Sequence, residues 1–128
     1  MFIHSIDAES YNANYSISLS YNVAPTYSVK IPKTLDISNN NTNFNYYVCG
    51  DIYADGILQV KFDEEVTLTN SNTSKKAYIS QTKTDFKQNE LTNDYTRYSA
   101  SITHDNLSPG KWQGQLNVVI SLIGDIHE

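Results

Sequence analysis

Apolar and polar residues alternate one by one over most of this chain of 128 residues. No apolar period of 3.6 runs for the roughly ten residues of an ordinary helix. Successive side chains of an extended chain point to opposite faces, so a period of two marks a strand with one face on a core. In NYSISLSYNV, Tyr15, Ile17, Leu19 and Tyr21 alternate with Ser16, Ser18 and Ser20. TYSVKIP repeats the pattern with Tyr27, Val29 and Ile31; the flanking Pro25 and Pro32 each remove a ladder donor and so confine the piece to an edge. Leu35 and Ile37 continue that edge after a bend. Phe44, Tyr46 and Val48 share one face of FNYYVCGDI, and Leu58, Val60 and Phe62 share one face of ILQVKF. The Asp55-Gly56 pair between these two runs is the strongest short hairpin signal in the chain. Further strands are expected around Val66 and Leu68, over residues 77–84, and through Tyr98, Ala100 and Ile102. Between the last two, DFKQNELTND can hold a short helical turn, with Phe86 and Leu91 plugging the rim of the core.

The chain closes with SPGKWQGQLNVVISLIG, residues 108–124. Trp112, Gly114, Leu116, Val118, Ile120 and Leu122 share one parity, so a strand beginning near Lys111 puts them all on one face. Five of them, Trp112, Leu116, Val118, Ile120 and Leu122, are the expected core anchors. Gly114 then marks a bulge or leaves room for an aromatic ring across a neighbouring strand. Val119 and Ile123 interrupt the polar alternation, as in a central strand or a patch covered by another chain. If the Trp112 ring is buried, its removal should cost ~3–5 kcal/mol. About seven to nine strands, with turn signals about every 8 to 12 residues, predict an all-β fold: a single antiparallel two-sheet β-sandwich, with a closed barrel as the alternative. The expected domain is residues 15–128, behind a flexible N-terminal arm at residues 1–14.

Composition narrows the function classes. A net charge of −5 with no concentrated basic face argues against nucleic acid as a partner. The lone Cys49 excludes an internal disulfide framework and a Cys-based zinc site, and reads as a small buried hydrophobe. His4, His104 and His127 have no metal-ligand spacing and read as solvated. Asp51, Asp55, Asp63, Glu64 and Glu65 lack the alternating spacing of a calcium loop and read as turn acids. No nucleophile elbow, zinc-protease or phosphate-loop motif occurs, so neither an enzyme nor a cofactor is expected. MFIHSIDAES has no basic flank followed by an apolar core, and no run reaches the ~18 apolar residues of a membrane span. The expectation is therefore no membrane insertion, and a protein that stays in its host cell or leaves it without a secretory signal. Tyrosine is in excess, at ten residues. Tyr46, Tyr47, Tyr53, Tyr95 and Tyr98 could build an aromatic platform for a sugar ring or a protein, since Tyr gives amphipathic contact area at low entropy cost.

YSVKIPKTLDIS (27–38) and LSPGKWQGQLNVVISL (107–122), with VCGDIYADGILQV between them, resemble an Ig-like β-sandwich module of Gram-positive bacterial surface proteins and phage virions. In that family a Y-x-V-x-I-P strand opens the domain and a G-x-W-x-G-x-L strand closes it. The matching positions are Tyr27, Val29, Ile31 and Pro32, then Gly110, Trp112, Gly114 and Leu116. Both motifs encode strand geometry and neither encodes chemistry. The resemblance implies a Greek-key sandwich and a non-enzymatic structural role, as a virion (tail, baseplate or decoration) or surface-appendage component that works by protein–protein contact or self-association. With no signal peptide or sorting tail expected, a virion component is favoured over a secreted one. A glycan-binding adhesion module is the alternative, and it rests on the tyrosines.

Overall fold

The computed structural model of the protein describes residues 16–124. The expected arm at residues 1–14, together with Tyr15, His4 and His127, lies outside them. Eight strands follow one another: β1 (Thr26–Lys30), β2 (Asn41–Asp51), β3 (Ile57–Phe62), β4 (Glu65–Asn70), β5 (Thr73–Gln81), β6 (Asp85–Lys87), β7 (Thr96–His104) and β8 (Val118–Ile123). A 3₁₀ turn at Gln88–Glu90 is the short helical turn expected within that stretch. The described residues hold no α-helix. All pairings are antiparallel and make two sheets: a five-stranded one in the order β1-β2-β7-β5-β4, curled into a half-barrel, and a three-stranded one in the order β6-β3-β8.

The period-two reading places the core. Phe44, Tyr46 and Val48 of β2 meet Leu58, Val60 and Phe62 of β3, Phe86 of β6 and Ala100 of β7 in one cluster drawn from both sheets. Phe86 is fully buried at its centre, so it is no rim plug. Its ring packs edge-on against Tyr98 at 4.8 Å, and Phe62 meets Phe44 and Tyr46 edge-on at 5.3 Å each, the geometry that aromatic quadrupoles favour. A smaller cluster joins Val66, Leu68, Ala77 and Ile102, with Trp112 and Leu116 packed against it.

Gln81 fastens the two sheets together. Residues of β3 from Val60 onward run past the end of β6, which pairs only with Ile57 to Gln59. There the Gln81 side-chain amide, from β5 of the other sheet, stands in for the missing strand. Its Oε1 accepts from the Phe62 N–H at 3.1 Å, and its Nε2 donates to the Val60 carbonyl at 2.7 Å. The same Nε2 lies 3.1 Å from both the Tyr46 hydroxyl and the Lys83 carbonyl.

Four sequence expectations are corrected. Asp55-Gly56 does not close a hairpin, because β2 and β3 belong to different sheets and the turn carries the chain around a corner between them. The tight two-residue hairpin is at Ser71-Asn72, where Asn70 faces Thr73 and Ser71 has φ +52°. The closing strand starts at Val118, not near Lys111; ahead of it only Gln113 makes a bridge, to Thr69 of β4. Gly114 is needed for close approach, since a Cβ there would lie 2.8 Å from the Thr67 carbonyl oxygen. It therefore admits the β4 backbone and not an aromatic ring. Finally, residues 16–25 form no strand and rest on no core: Ile17, Leu19, Tyr21 and Val23 are between 69 % and 90 % exposed.

Candidate interaction surface

The five candidate tyrosines do not form one platform. Alternation along β2 turns Tyr46 inward and Tyr47 outward. Tyr46 is fully buried; its hydroxyl donates to the Lys83 carbonyl at 2.9 Å and accepts from Gln81. Burial pushes its phenol above the usual tyrosine value, against the opposing effect of the Gln81 hydrogen bond. Tyr98 is half-buried between Tyr46 and Phe86. These two are core residues, and Tyr53 is half-buried beside the inter-sheet corner. Of the five, Tyr47 and Tyr95 alone are exposed.

Those two lie on the outer face of the five-stranded sheet. Tyr47 stands between Lys30 of β1 and Arg97 of β7 in register. The Lys30 ammonium sits 4.4 Å above the Tyr95 ring, whose hydroxyl shares a 2.7 Å hydrogen bond with Ser28. Cation and ring attract each other in this geometry. One face of Tyr95 is thereby covered. Cys49 has the same outward parity and is half-buried, not a core hydrophobe.

His104 is not solvated. It is buried at the end of β7, with Nδ1 2.7 Å from the Asp105 carbonyl and Nε2 2.8 Å from the Ile37 carbonyl. It thus ties the segment after β1 to the loop after β7. The acids are engaged locally. Asp63 accepts from the Asn117 N–H, Glu65 pairs with Lys76 at 3.7 Å, and Glu90 pairs with Lys83 and caps the 3₁₀ turn through the Lys87 N–H. Those bonds, the one from Lys83 foremost, hold the Glu90 carboxyl below its ordinary range, and the Ser38 N–H does the same for Asp36. Among the described residues no three His, Cys, Asp or Glu side chains are grouped to hold a metal ion, and no helix is long and apolar enough to cross a membrane.

A larger feature escapes the sequence. The core opens through a groove of about 760 Å³. One wall is the segment Ile31 to Ile37 that follows β1, the other is Trp112 to Leu116 that leads into β8, and the buried core residues Phe44, Phe62, Leu68 and Ile102 form its floor. Of the expected core anchors, Trp112 and Leu116 line it. Trp112, Leu116, Val118 and Leu122 are only half-buried, with the Trp112 Nε1 donating to the Ser108 carbonyl at 2.8 Å. Ile120 is 37 % exposed and so corrects its assignment to the core. Its opposite number on β3, Val60, is completely buried. The difference arises because β8 is the edge of its sheet and no described residue pairs with its far side. Sequence alternation finds the inward face of β8, and the edge position of β8 corrects the reading of Val119 and Ile123 as part of a central strand. Comparison with protein families, with curated proteins and with solved structures finds no match to this chain.

Proposed function

We infer that the protein is a non-enzymatic structural module that acts by protein–protein contact, an Ig-like Greek-key sandwich serving as a virion or surface-appendage component. The observation that carries this reading is the set of exposed apolar side chains on backbone that no described residue pairs. Among the described residues β1 and β8 each have one free edge, and Val119, Ile120 and Ile123 of β8 are exposed, as are Ile17, Leu19, Tyr21 and Val23. Monomeric proteins rarely leave contiguous apolar patches beyond a few hundred Å² uncovered, and they blunt free strand edges with charge or proline. β8 carries neither.

The glycan-binding alternative now rests on Tyr47 and Tyr95. Lys30 occupies one face of Tyr95, the surface a sugar ring would stack on. Light scattering of the full chain over rising concentration, beside a glycan array, tests the choice. Mass that grows with concentration and a blank array are expected. A strict monomer that binds a defined glycan would overturn the structural reading.

A further inference from the structure

Two unsatisfied features of the fold match each other. Residues 16–24, SISLSYNVA, alternate Ile17, Leu19, Tyr21 and Val23 with Ser16, Ser18, Ser20 and Asn22, without a charge. An added strand between a core and solvent needs this pattern: apolar inward, polar outward. Yet no backbone hydrogen bond joins the segment to any other described residue. β8 has the opposite deficit, an edge that no described residue pairs and inward-facing residues only partly covered, and the groove with its apolar floor lies along the 112–116 segment that leads into it. Fully extended, the nine residues span about 30 Å at ~3.3 Å each, enough to run along β8 and into the groove beside Trp112 to Leu116.

The donor is a second copy of the chain, for two reasons of geometry. Thr26 lies opposite Asp51, and β2 leads through the corner turn to Ile57, which pairs with Ile123. The chain therefore enters β1 at the Ile123 end of β8. Folded back into its own slot, the segment would run parallel to β8, the weaker pairing, whereas a neighbour can offer it antiparallel. Pairing with its own β1 would require a tight reversal at Ala24-Pro25. A type I′ turn needs positive φ at both positions, which proline cannot adopt, and type II′ needs it at Ala24, a non-glycine residue that Pro25 biases to extended backbone.

We propose that residues 16–24 of one copy insert as the missing strand beside β8 of the next, completing its core. This rests on the structural reading above and names its partner as another copy. Donor and acceptor are different surfaces, so the exchange either closes reciprocally as a dimer or propagates head-to-tail into chains or rings.

The test is Leu19→Asp in the full chain. Leu19 is 90 % exposed in the single copy, so the variant folds, and at concentrations where both proteins are monomeric their melting temperatures agree. Light scattering should show concentration-dependent association of the wild type, weakened at least tenfold in Leu19→Asp. Hydrogen exchange should show amides of 118–123 gaining protection with concentration in the wild type only. A wild type that stays monomeric while Leu19→Asp melts lower means the segment fills its own slot, which overturns the proposal. Association untouched by Leu19→Asp, or without protection of 118–123, overturns the strand exchange and leaves the structural reading standing. A monomer indifferent to Leu19→Asp defeats the proposal and the self-assembly reading with it.

Discussion

Replacing Gln81 by Met keeps the side chain's length and volume while removing all its hydrogen bonds. The Phe62 N–H and the Val60 carbonyl both point to the side of β3 where β6 has already ended, and no other described strand is there to take them. Each backbone group left without a partner costs ~1–3 kcal/mol; because Gln81 is only half-buried and water can reach it, the lower half of that range applies. Two groups at about 1.5 kcal/mol make about 3 kcal/mol, before the smaller loss at Tyr46, which still donates to Lys83. At roughly 3–4 °C per kcal/mol for a domain of this size, the melting temperature should fall by about 10 °C. Thermal and urea unfolding followed by circular dichroism measure the change. The exposed neighbour Thr82→Ala, as control, should stay within about 0.5 kcal/mol of wild type. A loss below about 1 kcal/mol in Gln81→Met would mean that water replaces the amide freely, and that the side chain does not fasten the sheets.

Tyr46 holds its proton more tightly when folded than unfolded, so its contribution is complete below about pH 10 and is lost as pH rises through the raised value. Urea unfolding from pH 9 to 11.5 should show wild type losing more stability than Tyr46→Phe; equal slopes would disprove the burial effect. His104→Leu leaves the Ile37 and Asp105 carbonyls without their ring partners and should cost about 2 kcal/mol in urea unfolding. Gly114→Ala drives a Cβ against the Thr67 carbonyl oxygen and should cost about 1–3 kcal/mol, read by the same melt; a neutral result would show that the 112–116 segment gives way. Trp112→Ala, from a half-buried site, should cost about 2 kcal/mol and not the full amount for a buried ring.

Alternation made the strand faces legible: Phe44, Tyr46 and Val48, and Leu58, Val60 and Phe62, are buried on the parity the sequence predicts. What it left out is pairing. Asp55-Gly56 encodes a reversal of the chain, and a reversal serves a corner between sheets as well as a hairpin within one. Ser71-Asn72, with no glycine, makes the tight hairpin because the aligned β4 and β5 strands impose the left-handed φ that Ser71 would not choose alone. The tyrosines show the same limit. Their spacing tells which of Tyr46 and Tyr47 faces away from the other, but only the fold says that Tyr46 and Tyr98 are core and that Lys30 covers Tyr95. Residues 16–23 carry the clearest alternation in the chain and form no strand within it, because a period of two specifies that one face wants burial and is silent on which molecule supplies the core. An exposed segment with a strand's pattern and an edge strand with a half-covered face are each costly alone. That both occur in one chain, equal in polarity and long enough to match, favours reading them as the two halves of a single contact.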